Sequence, residues 1–138
     1  MEYIFEFIVN HPLLVGGLAS LVCVLIYSEM RKGGLSVTSQ QLTQLVNQSN
    51  AIIIDVREKS EFQTGHIVDS LNIPFSMLKD RTSELGKYKE RPVIIVDAIG
   101  QHGGMAGKIL KETGLTQVMK LKGGIGSWRA DTLPLVKT

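Results

Sequence analysis

Two side chains able to exchange protons, Asp97 and His102, stand five positions apart in the stretch Asp97-Ala98-Ile99-Gly100-Gln101-His102-Gly103-Gly104, which directly follows the apolar run Val93 to Val96. A carboxylate and an imidazole at that spacing suit an acid–base pair or half of a metal site. Zinc usually draws on three or four ligands, so two residues do not call for a metal, and no cofactor is expected. Nor do these glycines form a phosphate-binding P-loop, because no Gly-Lys-Ser/Thr sequence closes them. Asp55 and Arg57 join an acid to a cation, yet an Asp-Val-Arg element at the end of an apolar run is expected to satisfy buried polar groups rather than to react. His66, between Gly65 and Ile67, is expected to be a satisfied, partly buried ring. Thiol chemistry has one possible carrier, since Cys23 is the only cysteine among 138 residues.

These residues need a scaffold, and the composition allows one domain with an appendage. Hydrophobic residues make up 43% of the chain and 15 basic side chains face 13 acidic ones. Disorder, a disulfide framework and electrostatic nucleic-acid binding are all disfavoured by that balance. Thr38 and Gln41 resemble a capping box opening a helix that carries Leu42, Leu45 and Val46 on one face. Ala51 to Ile54 and Val93 to Val96 are continuous, mostly β-branched apolar runs, as expected of strands buried on both faces of a parallel sheet. A short strand is expected over Leu71 to Ile73, stopped by Pro74, with a short helix holding Phe75, Met77 and Leu78. Met105 to Thr113 reads as a helix with Gly114 at its C-cap, and Gln117 to Leu121 as the next strand. Gly123-Gly124 is assigned to a turn and Trp128 to core packing. Strands alternating with helices imply an α/β fold with a mainly parallel sheet.

The appendage is the N-terminal segment. From Phe7 to Ser28 no Asp, Glu, Lys or Arg occurs, and Leu13 to Tyr27, with Cys23 inside it, is the most apolar part. A helix of that length reaches roughly 33 Å, enough to cross a hydrocarbon core of about 30 Å. Pro12 is expected near the helix entrance. Glu2 and Glu6 precede the apolar stretch, which disfavours a cleaved signal peptide. Arg31 and Lys32 follow it, so the residues beyond are expected in the cytoplasm. The organisation expected is an anchor over 1–30, a short linker over 31–35 containing Gly33 and Gly34, and a soluble domain over 36–138.

Several motifs in fixed order carry a resemblance. Asp55-Val56-Arg57, Glu61-Phe62, Gly65-His66-Ile67 and Leu71-Asn72-Ile73-Pro74 resemble the first half of a rhodanese-like domain. Pro92 to Val96, then Leu121-Lys122-Gly123-Gly124-Ile125 and Trp128, resemble the second. The layout is similar to single-span, membrane-anchored bacterial members. The resemblance implies a three-layer α/β fold with a central, mainly parallel five-stranded sheet and an active-site loop between a strand and a helix N-terminus. It also implies thiosulfate or persulfide sulfurtransfer through a cysteine at the strand end, often with an arginine five positions later. Aligned this way, Asp97 takes the place of the cysteine and His102 that of the arginine.

A carboxylate cannot become a persulfide, and Cys23 is expected in hydrocarbon, where a thiolate is costly. No catalytic residue is therefore expected. If the loop still aims its N–H groups at one point, Asp97 fills that cradle as an internal anion. The leading expectation is a catalytically silent, single-pass module of the bacterial inner membrane, tethered to the lipid bilayer and engaging a protein partner or regulating one. Alternatives are a sulfurtransferase-related enzyme using a partner's cysteine, a weak hydrolase built on Asp97 and His102, and a purely architectural domain.

Overall fold

The computed structural model describes residues 1–32 and 34–137, in two compact units, Met1–Lys32 and Gly33–Thr138. Gly33 of the expected linker and Thr138 lie outside the described residues, as do the side chains of Arg31 and Lys32 that set the expected orientation.

The first unit holds two helices, α1 (Glu2–Asn10) and α2 (Pro12–Lys32). The residue before a proline is pushed out of helical geometry, and His11 accordingly adopts φ −130, ψ 56 between them. Pro12 then opens α2, where its missing N–H costs nothing. Phe7, expected within the span, thus belongs to a separate helix from Leu13, Cys23 and Tyr27. Residues 12–29 of α2 are long and apolar enough to cross a membrane, and none of them is buried within the protein.

The second unit runs β1 (Leu35–Val37), α3 (Ser39–Ser49), β2 (Ile52–Asp55), α4 (Lys59–Thr64), β3 (Leu71–Asn72), β4 (Val93–Val96), α5 (Gly103–Glu112), β5 (Val118–Leu121) and α6 (Gly124–Ala130). Two 3₁₀ segments, Phe75–Met77 and Thr82–Tyr88, replace the short helix expected after Pro74. All strand pairings are parallel and the strand order is β1-β5-β4-β2-β3. The expected linker is shorter than 31–35, because α2 continues through Lys32 and Leu35 already pairs with Met119. The capping box at the start of α3 is complete: the Gln41 N–H donates to Thr38 Oγ1 at 3.2 Å, and the Thr38 N–H donates to Gln41 Oε1 at 2.9 Å. Helix α5 begins two residues earlier than expected and is capped at Thr113, with Gly114 just beyond at φ +101.

Alternation along the strands sends side chains to both faces of the sheet. Ile54, Val93, Ile95 and Val118 pack on one side with Ala106 and Leu110 of α5. Ile53, Ile94, Val96 and Leu121 pack on the other with Leu42, Ile125 and Trp128. The indole N–H of Trp128 donates to the Pro134 carbonyl at 3.0 Å. Every residue of β4 is fully covered, so the end of that strand is a fixed platform.

Beside it, the end of β2 is braced by a buried ion pair. Arg57 donates through Nε to Asp55 Oδ1 (3.0 Å) and through Nη2 to Asp55 Oδ2 (2.8 Å) and to the Gly65 carbonyl (2.7 Å). Asn72 Nδ2 closes the group on the carbonyls of Asp55 and Arg57. His66 stacks on Phe62 with centroids 3.8 Å apart, and its Nδ1 lies 2.9 Å from the Phe62 carbonyl. A charge left alone in such a setting is strongly unfavourable. Asp55→Ala is therefore expected to cost about 3–5 kcal/mol in chemical denaturation of the detergent-solubilised chain, whereas exposed Glu58→Ala changes stability by less than about 0.5 kcal/mol.

Candidate functional site

Strands β2 and β4 lie side by side, but the chain leaves β2 toward β3 and leaves β4 toward β5, on opposite sides. In parallel α/β sheets the crevice beyond the carboxyl ends at such a reversal is the customary ligand site. Asp97 occupies that point, immediately after Val96, and is 4% exposed.

The first N–H groups of a helix have no partner inside it and need an acceptor from elsewhere. Helix α5 begins with two glycines, and the side chain of His102 at its N-cap makes no capping hydrogen bond. Asp97 supplies the acceptor instead. Its Oδ1 accepts from the Gly100 N–H at 2.6 Å, and its Oδ2 accepts from the N–H groups of His102 at 2.7 Å and Gly103 at 3.0 Å. The carboxylate lies at the positive end of the α5 dipole, where negative charge is favoured. Bonds from N–H groups to an ionised oxygen are among the stronger hydrogen bonds in proteins.

The loop has to bend sharply to bring three amides to one carboxylate. Gly100 makes the turn at φ +93, a conformation that L side chains rarely adopt. The start of α6 closes the loop from the other side, where Ile125 donates to the Asp97 carbonyl at 2.8 Å and Gly126 to the Ala98 carbonyl at 3.0 Å. Gly124, at φ +60, comes so near that a Cβ there would collide with the Asp97 carbonyl and lie 2.6 Å from Oδ1. Gly103 has less room than usual but is less confined, its missing Cβ facing the Lys120 side chain at 3.1 Å.

The structure therefore brings together Asp97, Gly100, His102 and Gly103 from the stretch singled out in the sequence. Ala98 faces α6 through its carbonyl, Ile99 and Gln101 are exposed, and Gly104 is partly buried. None of these four donates to the carboxylate among the described residues. His102 meets Asp97 through its backbone, while its ring stacks on Phe75 with centroids 4.9 Å apart and planes 18° apart. This differs from an acid–base pair of side chains, because stacking turns the imidazole to an aromatic face. Among the described residues no group of three or more His, Cys, Asp or Glu is placed to hold a metal.

Phe75 and Gly124 are the contributors the sequence reading did not assign to the site. The Gly123-Gly124 pair after Leu121 was a usable signal for a close backbone approach. Nothing local to Phe75 announces its stacking on a residue 27 positions later.

The fold and this loop define an α/β domain with an anion cradle at the carboxyl end of a central parallel strand. The family model of the rhodanese-like domain matches residues 38–131, and the chain belongs to that family. The uncharacterized protein YibN of Escherichia coli (strain K12) is 33% identical over 141 residues, covering 99% of each chain. A sulfurtransferase of Allochromatium vinosum is 32% identical over 101 residues, covering 72% of this chain and 92% of its own. The crystal structure of a rhodanese-related protein from Thermoplasma volcanium superposes with a TM-score of 0.68 at 28% identity, covering 75% of this chain and 99% of that one.

Two substitutions test the geometry. Gly124→Ala is expected to lower stability by at least about 2 kcal/mol, because it adds a collision to an unfavourable φ; a denaturation midpoint equal to that of the native chain would contradict the contact. Asp97→Ala strands three N–H groups and is expected to cost about 2–3 kcal/mol. Added sulfate should then raise the Tm of that variant and leave the native chain unmoved.

Proposed function

We propose that this chain is a membrane-anchored rhodanese-like domain that does not transfer sulfur and serves instead as a protein-interaction or regulatory module. The observation that carries this reading is the Asp97 carboxylate bonded to three backbone N–H groups at the end of the central strand. By the resemblance of its motifs, Asp97 stands where family members carry their nucleophilic cysteine, and His102 where they carry an arginine. A carboxylate has no sulfur to pass on. Its charge occupies the position an incoming thiosulfate would need, so an anionic substrate meets a site already filled. Cys23 offers no substitute, because it sits on α2, the helix assigned to the bilayer. Ile99 and Met105, each 63% exposed, leave apolar side chains in solvent on the loop and on the first turn of α5. Such residues suit contact with a protein better than contact with a small anion.

The membrane part of the reading rests on the length and apolar character of α2. Arg31 and Lys32 at its end assign the globular domain to the cytoplasm by the positive-inside rule, and hence the anchor to the bacterial inner membrane.

One observation favours a competing reading, an enzyme that borrows a partner's cysteine: the Allochromatium vinosum relative is named a sulfurtransferase. A hydrolase built on Asp97 and His102 draws no support from the loop, where the imidazole stacks on Phe75.

Sulfur transfer from thiosulfate to cyanide separates these. The native chain is expected to stay at background, while Asp97→Cys combined with His102→Arg is expected to form a persulfide detectable by mass spectrometry. Turnover by the native chain alone would overturn the proposal, and turnover only after addition of a thiol-bearing partner would establish the competing enzyme. For the anchor, alkaline carbonate should leave the protein in the membrane pellet and detergent should release it.

A further inference from the structure

The break at His11 separates two helices with different surfaces. The charge-free part of α2, Pro12 to Ser28, extends about 26 Å, the short end of the roughly 17–25 residues that cross a hydrocarbon core, so α2 reaches the length of a span without α1. Helix α1 is not a simple extension of it. At 100° per residue, Glu2, Glu6 and Asn10 fall within an 80° arc of α1. Phe7, Ile4, Ile8 and Phe5 follow one another around the opposite side, and Tyr3 borders the polar arc. No residue of α1 is buried, and Ile4 and Phe5 are 61% and 73% exposed. Two carboxylates are costly in the hydrocarbon interior, and four large apolar side chains are unfavourable in water. The boundary between the two media satisfies both faces at once, and the non-helical residue before Pro12 lets the chain turn there.

We propose that α1 is an interfacial helix lying in the headgroup layer of the leaflet where α2 begins, with its apolar arc toward the acyl chains and Glu2, Glu6 and Asn10 toward water. This rests on the reading of α2 as a membrane span. Tyr3 sits at the edge of the two arcs, where aromatic residues with a polar tip are favoured at membrane surfaces. The segment has two acidic and no basic side chains up to Asn10. Its attachment therefore depends on apolar insertion and not on attraction to anionic lipid, unlike the lysine-rich helices that commonly occupy this layer.

The test uses spin labels on the full chain reconstituted in phosphatidylethanolamine/phosphatidylglycerol vesicles and in pure phosphatidylcholine vesicles. Cys23→Ser is combined in turn with Phe5→Cys, Glu6→Cys, Ile8→Cys, Asn10→Cys or Leu18→Cys, and each label is probed with lipid-soluble oxygen and a water-soluble nickel chelate. Labels at positions 6 and 10 are expected to be several-fold more accessible to nickel than labels at 5 and 8. Those at 5 and 8 should be oxygen-accessible but shallower than the label at 18, in both lipid compositions. Uniform nickel access at 5, 6, 8 and 10 would place α1 in water and overturn the proposal. Oxygen access deepening steadily toward 18 would make α1 part of the span, and exclusion of both probes would mean that protein covers it; either also overturns it. The label at 18 separates the two readings: if it is open to oxygen and shielded from nickel the span stands whatever α1 does, and nickel access there would refute the span and the interfacial helix together.

Discussion

A helix cannot satisfy the N–H groups of its own first turn, and here that need organises the site. The acceptor for α5 is the side chain that ends the preceding strand, not a residue adjacent to the helix. Asp97 thus ties the end of β4 to the start of α5 and forces the residues between them into a closed loop. The other features of the loop follow from this closure. Gly100 supplies the left-handed turn, Gly103 lets α5 pass over Lys120, and Gly124 lets the backbone of α6 approach the aspartate. In this rhodanese-like domain the loop's N–H groups close on a carboxylate of the chain itself.

The closure is only as firm as the strand beneath it. All four residues of β4 are buried, it pairs with β5 on one side and β2 on the other, and each face is covered by a separate apolar cluster. The Asp55–Arg57 pair and Asn72 brace the adjoining end of β2, so the crevice has two stiff walls. Groups held on such elements keep their positions better than groups on free loops. The Asp97 carboxylate is thus held on fixed backbone rather than on a free loop.

The N-terminal unit follows a different pattern. Its structure is divided by one residue, His11, whose geometry is set by the following proline. On either side of it the same helical backbone carries contrasting patterns, free of charge on every side from Pro12 to Ser28 in α2 and segregated in α1.

The buried strands β2 and β4, the capping box of α3, helix α5 and the apolar helix α2 were legible in the sequence, because each is specified by residues close together. A run of β-branched residues, a Thr three positions before a Gln, and a stretch without charges all act within a few turns of chain. The loop was legible through the resemblance, which implies a loop running from a strand end onto a helix N-terminus and places Asp97 within it. Other elements were not. Strand β1, three residues with one polar, becomes a strand only by pairing with β5 more than 80 positions away. The segments after Pro74 settle into 3₁₀ turns against the finished core. The ring of His102, legible as a candidate base, is turned onto Phe75, and the reason Gly124 must be glycine lies on a different strand end. The sequence by itself determined the main buried strands, the capped helix α3, helix α5 and the apolar helix α2, and that a carboxylate follows the central strand, because those depend on local patterns. Tertiary structure alone decided what the carboxylate meets and what closes over it, because those contacts form only when the parallel sheet brings distant strand ends to one edge.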